Sequence, residues 1–139
     1  MKLIETFVDE KDICLVFEYL PGQDLFWVLT NEHNLQLSSG GRKAWVTFYC
    51  SEILLTLNYL HAQKIVFRDV KPDNVMIDSE GHVKLIDFGF AKKLTQERTY
   101  TNCGTMGYAA PEVVGAQAGY SFPADVWSFG IMMVELLTG

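Results

Sequence analysis

Apolar and polar positions first follow a strand period and then a helix period. Leu3–Val8 and Ile13–Phe17 are short runs rich in β-branched and aromatic residues, with Asp9-Glu10-Lys11-Asp12 between them. Two such runs around a polar turn predict an antiparallel hairpin. Pro21-Gly22 breaks the chain, and a short helix is expected from 24 to about 29. A polar loop follows, ending in Ser38-Ser39-Gly40-Gly41. Over 43–61, Trp45, Phe48, Tyr49, Ile53, Leu57 and Leu60 recur at three- and four-residue steps, which makes one apolar stripe on a long helix. Residues 75–77 and 83–86 read as short strands around the Ser79-Glu80-Gly81 turn, and 94–111 is polar, irregular and Thr-rich. A last helix is expected over 123–137. It is apolar almost all round, which predicts burial, and Thr138-Gly139 suits its end. Hairpin, helices, short hairpin, long loop and buried helix make an α+β chain in which helix dominates.

Composition narrows the class. A length of 139 residues predicts one domain, and 49% hydrophobic with 20% charged residues is globular rather than disordered. The mean hydropathy of +0.10 fits a core-rich fold, or a fragment whose surface further chain would cover. A net charge of −6 carries no footprint for a phosphate backbone, so no nucleic-acid partner is expected. Cys14, Cys50 and Cys103 are odd in number and widely spaced, as free thiols in a reducing compartment would be. Glu5, Asp9 and Glu10 interrupt any signal-peptide run, and no apolar stretch reaches spanning length. The expectation is a soluble, intracellular, cytoplasmic protein with no membrane partner. No repeat is visible, and nothing in the composition specifies an oligomeric state.

Four segments carry chemistry: Phe67-Arg68-Asp69-Val70-Lys71-Pro72-Asp73-Asn74, Asp87-Phe88-Gly89, Ala110-Pro111-Glu112, and Asp125-Val126-Trp127-Ser128-Phe129-Gly130. Asp69, Lys71 and Asn74 share a loop between a helix and a strand, and Asp87 closes the next strand. Two carboxylates, an amide oxygen and an ammonium result. Carboxylate and amide oxygens suit a hard divalent cation. An ammonium neutralises a phosphoryl group. A carboxylate free of metal can orient a hydroxyl and take its proton. The set suits phosphoryl transfer to an alcohol, where positioning and charge neutralisation supply most of the catalysis.

With these four segments in this order and spacing, the chain resembles the protein kinase family over essentially its whole length. The resemblance implies ATP and Mg²⁺ as cofactors. It makes Asp69 the catalytic-loop aspartate, Lys71 the contact to the transferring phosphate, and Asn74 and Asp87 the metal ligands. Thr105 matches the threonine whose hydroxyl bridges the catalytic Asp and Lys. Lys71, two residues after the aspartate, implies Ser/Thr rather than Tyr substrates. Phe67-Arg68-Asp69, Asp87-Phe88-Gly89-Phe90-Ala91-Lys92-Lys93 and Thr99-Tyr100-Thr101-Asn102-Cys103-Gly104-Thr105 resemble the AGC group, especially its cyclic-nucleotide-dependent kinases. Thr101 then matches a phosphorylated threonine, with Arg68 and Lys92 as the basic groups that pair its phosphate. In the family's hinge, the Glu18 carbonyl and Leu20 amide would meet the adenine edge, with Phe17 as gatekeeper and Met76 and Ile86 as apolar floor. Asp24 matches an acidic residue that meets ribose and a substrate Arg. Asp73 and Glu135 match others that read basic residues before the phosphosite, so protein substrates with basic residues near the phosphosite are the expected partners. The alternatives are a solvated Thr101 and ordinary surface charge at Asp24, Asp73 and Glu135. Leu3, Phe67 and Phe88 match the hydrophobic spine. Asp125 is expected to anchor the catalytic-loop backbone.

The sequence departs from the family in places. It contains no Gly-rich phosphate-covering loop, no Val-Ala-x-Lys strand and no partner Glu helix, and it aligns from the family's fourth strand to its central helix. Residues 1–20 would be an N-lobe remnant and hinge, and 21–139 an incomplete C-lobe. Glu112 is expected to be a buried carboxylate without its Arg. Met106 and Gly107 stand where the family and the AGC group prefer Pro and Glu. The expectation is a Ser/Thr protein kinase of which this stretch alone is inactive, whether fragment, truncated gene model or degenerate kinase. The alternative is a pseudokinase-like binding scaffold.

Overall fold

The computed structural model describes residues 1–31, 39–115 and 118–139. The chain opens with β1 (Leu3–Val8) and β2 (Ile13–Phe17), paired antiparallel with the register Val8↔Ile13 through Leu3↔Phe17. The turn is closed by Asp9, whose Oδ1 accepts the Lys11 and Asp12 amides at 2.9 Å each. These bonds hold the Asp9 carboxyl below the usual carboxylate range. Next comes α1 (Leu25–Thr30). It starts one residue after the expected boundary because Asp24 is its cap, Oδ1 accepting from Trp27 N at 2.7 Å.

The long helix α2 spans Ser39–Ala62 and so takes in Ser39, Gly40 and Gly41, which the sequence pattern places in a loop. First-turn amides need no intrahelical partner, and small residues there cost little against the packing of the turns that follow. The rest of that loop, 32–38, lies outside the described residues. On α2 the buried stripe is Val46, Cys50, Ile53, Leu57 and Leu60. It is rotated slightly from the expected one. Phe48 is left 46% exposed on the flank, edge-on to Tyr49, and Trp45 and Tyr49 are half-buried.

A two-residue strand β3 (Ile65–Val66) leads into the loop of interest and a 3₁₀ turn at Pro72–Asn74. The hairpin β4 (Val75–Ile77) and β5 (Val83–Leu85) follows, with a second 3₁₀ turn at Phe88–Phe90 and β6 (Lys92–Lys93), which pairs antiparallel with β3. After the irregular Thr-rich stretch come α3 (Pro111–Val114) and α4 (Pro123–Thr138). The main core forms where α2 packs on α4, β3 and β5, with Leu57, Phe67, Val75, Leu85, Met132 and Leu136 at its centre. A smaller cluster joins Ala110, Val113, Tyr120 and Ala124.

The fold is α+β, as expected. Burial of α4 all round is not what the structure shows. Ala124, Asp125, Ser128, Met132 and Leu136 are buried, while Val126, Trp127 and Val134 are exposed. A helix apolar on every side needs cover on every side, and the described residues cover only part of its circumference, where α2, the Tyr108 segment and the Ala110–Tyr120 cluster meet it. The β1–β2 hairpin is likewise exposed at nearly every position on both faces.

Candidate active site

One buried carboxylate sets the loop's shape. Asp125, in the first turn of α4, is fully buried. Its Oδ1 accepts the Arg68 amide at 2.7 Å, and its Oδ2 accepts the Phe67 amide at 2.9 Å and meets His61 Nε2 at 2.8 Å. A single side chain thus ties the end of α2, the loop and α4, as the sequence reading expected of Asp125. Arg68 is bent into the left-handed region at φ 73°, which a non-glycine residue holds only when its surroundings over-determine it.

That bend delivers Asp69 into a closed set of partners. Asp69 is 4% exposed. Its Oδ1 accepts from Thr105 Oγ1 at 2.7 Å, and its Oδ2 lies 3.1 Å from Lys71 Nζ. Lys71 Nζ also donates to Thr105 Oγ1 at 2.8 Å. Asn74 Nδ2 donates to both Asp69 O and Asp69 Oδ2 at 2.9 Å. Asp69, Lys71, Asn74 and Thr105, all picked from sequence, therefore meet in one network. Thr105 reaches it because Gly104, at φ 92°, passes so close to the loop that a Cβ there would sit 2.4 Å from Arg68 O.

Asp87 is brought alongside by the β4–β5 hairpin. Val75 pairs with Leu85, and the Ile86 amide donates to Asn74 O at 2.9 Å, which sets Asp87 one residue past Asn74's backbone partner. Asp87 is also left-handed, at φ 57°, and its Oδ1 accepts the Gly89 amide at 3.0 Å. The Asn74 amide nitrogen is committed to Asp69, so its oxygen is the atom that suits a cation, with the Asp87 carboxylate as a second hard donor. The described residues contain no cluster of three or more His, Cys, Asp or Glu placed to hold a metal. One carboxylate and one amide fit Mg²⁺ that keeps waters and substrate phosphates. Phe88 packs edge-on against the buried Phe67 at 5.2 Å, whereas the third spine residue, Leu3, is exposed.

A cavity of about 530 Å³ lies over Asp87, lined by Met1, Leu15, Phe17, Phe88 and Gly89. Its size and apolar walls suit a small-molecule ligand. Met76 and Ile86, half-buried in and just after the β4–β5 hairpin, are not part of this lining, nor are Glu18, Leu20 and Asp24. Glu18 instead has a side-chain role that the sequence did not signal. Its carboxylate takes Lys84 Nζ at 3.1 Å on both oxygens and the Lys2 amide at 2.7 Å. The Lys84 ammonium, then the Lys2 amide, hold that carboxyl below its ordinary range.

The remaining assignments fall in two places. Tyr108 donates to Glu135 Oε2 at 2.5 Å. Burial first, then Glu135 and Asp73, push its phenol well up. Asp24, the α1 cap, forms a β-bridge with Met76, and α1 packs on the Pro72–Asn74 turn that carries Asp73. Thr101 is exposed. Arg68 Nε donates to Phe90 O at 2.6 Å, and Lys92 Nζ to Thr99 Oγ1 at 3.0 Å, so neither cation rests on Thr101 itself. Glu112 is exposed, which overturns the expectation of a buried unpaired carboxylate: Pro111 and Glu112 open α3 on its solvent side. Sequence reasoning missed Tyr120, whose hydroxyl joins Arg68, Thr101 and Cys103. Nothing in its spacing sets it apart from other core aromatics.

The protein kinase domain model matches residues 1–139. The human cAMP-dependent protein kinase catalytic subunit PRKX is 42% identical over 139 residues, all of this chain and 37% of the relative. The Dictyostelium discoideum cAMP-dependent protein kinase catalytic subunit is 42% identical, with all of this chain and 20% of the relative covered. A Drosophila melanogaster cGMP-dependent protein kinase, isozyme 2, is 41% identical over 140 residues and 14% of its length. The chain spans less than half the length of each of these relatives. The match over its whole length and the AGC-type Ser/Thr kinases among its relatives make this chain a member of the protein kinase family, of partial protein-kinase fold.

Proposed function

We propose that this chain forms the metal-and-phosphate half of a Ser/Thr protein kinase domain, with residues 1–20 as N-lobe remnant and hinge and 21–139 as C-lobe. The observation that carries the reading is the network of buried Asp69 and Asn74 with half-buried Lys71 and Thr105, joined to Asp87 by the β4–β5 register. Mg-ATP, when bound, supplies the transferable phosphoryl group. Asp87 and the Asn74 amide oxygen would hold its cation. Lys71 offers its ammonium to the phosphate while Thr105 keeps that ammonium beside Asp69. Asp69 orients a substrate hydroxyl and takes up its proton. By the family resemblance, the Glu18 carbonyl and Leu20 amide would hold the adenine edge, Met76 and Ile86 would form its apolar floor, and Asp24 would take the ribose. Asp73, and Glu135 with its hydrogen bond from Tyr108, favour a basic peptide, and Thr101 is a phosphosite paired by Arg68 and Lys92. No helix among the described residues is long and apolar enough to cross a membrane.

The test is phosphate transfer from Mg-ATP to an Arg-rich peptide by the full-length protein. Asp69→Ala is expected to lower the rate by roughly 10²–10⁴-fold. The 139-residue chain by itself, whose sequence contains no Gly-rich loop or Val-Ala-x-Lys strand, is expected to transfer poorly. Rapid turnover by that chain, abolished by Asp69→Ala, would show it to be sufficient. The exposed apolar faces of α4 and the hairpin favour a second reading, a non-catalytic scaffold. That reading predicts no transfer by the full-length protein and no effect of Asp69→Ala.

A further inference from the structure

Thr101 is exposed, yet the backbone around it is firmly held. Thr99 and Tyr120 form an antiparallel bridge, with Thr99 N donating to Tyr120 O at 2.8 Å and Tyr120 N to Thr99 O at 2.9 Å. The Arg98 guanidinium donates to the carbonyls of Ala118 and Gly119 at 2.9 and 3.2 Å. Gly119 is left-handed at φ 68°, and a Cβ on it would meet the Tyr100 ring at 2.7 Å, so the two arms touch with no room for a side chain. Thr99 is buried and its hydroxyl accepts from Lys92.

At the centre sits Tyr120, 2% exposed. Its hydroxyl donates to the Thr101 carbonyl, accepts from Arg68 at 3.3 Å and lies 3.5 Å from Cys103 Sγ. Burial is the first cause that pushes this phenol up, so it stays protonated and remains a donor. Both cations assigned to a phosphate therefore already have neutral partners in the unphosphorylated chain. Arg68 holds Phe90 O and Tyr120, and Lys92 holds Thr99.

We infer that Tyr120 is a positioning residue whose hydroxyl, bridging Arg68 to the Thr101 carbonyl, docks segment 98–105 on the 118–120 connection before any phosphate is added. This rests on the reading of Thr101 as the phosphosite and deepens it. Phosphate then reinforces a segment that is already docked, and its ordering effect becomes large only when the Tyr120 hydroxyl is gone.

Amide hydrogen exchange on the full-length protein tests this in four forms: wild type, Tyr120→Phe, Thr101→Glu and the double variant. Tyr120→Phe is expected to speed exchange of residues 98–105 about fivefold, the factor set by one net hydrogen bond. Thr101→Glu should change the wild type by less than about twofold and restore most of the protection lost in Tyr120→Phe. Unchanged exchange in Tyr120→Phe overturns the inference, as does equal protection by Thr101→Glu in both backgrounds. If Tyr120→Phe loses its cooperative unfolding transition, Arg98→Ala, which removes an exposed side chain from the same clamp, takes its place with the same two outcomes. Mass spectrometry that finds no phosphate on Thr101 overturns the phosphosite reading alone, and the exchange contrast between wild type and Tyr120→Phe still decides the docking role.

Discussion

Asp125 shows what one buried residue does in this chain. It lies within hydrogen-bond reach of two backbone amides and an imidazole, on elements more than fifty positions away in sequence. Asp125→Ala leaves the Phe67 and Arg68 amides without that acceptor, and we expect a loss of about 3 kcal/mol, read from urea unfolding of the full-length protein. A loss under about 0.5 kcal/mol, the range of ordinary surface changes, would mean that water or a rearranged loop replaces the carboxylate. Asp69, Lys71, Asn74 and Asp87 were legible in the sequence because donor chemistry confined to two short loops can be read locally. Tyr120 and the Glu18–Lys84 pair were not, since their partners lie 52 and 66 positions away. Glu112 was misread for the same reason: whether a carboxylate is buried depends on what packs over it.

Among the elements, α2 and the β4–β5 hairpin are joined by a charged clasp. His82 Nδ1 lies 2.5 Å from Glu52 Oε1, and Glu52 Oε2 accepts the Val83 amide at 2.9 Å. Phe48 of α2 stacks at a tilt on the imidazole, while Asp78 and Glu80 face it from the hairpin side, where Lys84 Nζ lies 3.8 Å from Asp78. The Glu52 carboxylate, first by hydrogen bonding and then by charge, raises His82 above its ordinary 6.5, with smaller contributions from Asp78 and Glu80. A raised folded value means that the native state holds the proton more tightly than the unfolded chain. The stabilisation is complete below pH 6.5 and fades as pH rises through the higher folded value. We expect wild-type Tm to fall relative to that of Glu52→Gln over the interval above pH 6.5. Parallel Tm curves would remove the clasp's pH dependence. Helix and strand periods made both elements readable in advance, but not that a helix glutamate would meet a turn histidine.

At the scale of the whole molecule, the main core is good on the α2–α4 side and absent from the hairpin. Phe7, Val8, Ile13 and Leu15 are all exposed, and a two-stranded hairpin without cover is marginal in water. A ligand bound between this hairpin and the Asp87 loop would stabilise the native state by mass action, by about 2.7 kcal/mol at a hundredfold excess over Kd. Mg-ATP is therefore expected to raise the Tm of the full-length protein, and Asp87→Asn to remove most of the metal-dependent part. An equal shift with and without Mg²⁺ would argue against Asp87 as a cation ligand.

The residues by themselves determined the α+β class, the order of the longer elements and which donor side chains gather at the candidate site, because periodicity, turn chemistry and donor type are local properties of a chain. Tertiary structure alone decided which face of α4 is buried, that Asp24 caps a helix, that Gly40 and Gly41 are helical, and that Tyr120 sits between Arg68 and Thr101. Those outcomes depend on which surfaces meet. Meeting is set by packing summed over the fold, and a side chain carries no local mark of the distant group it will touch.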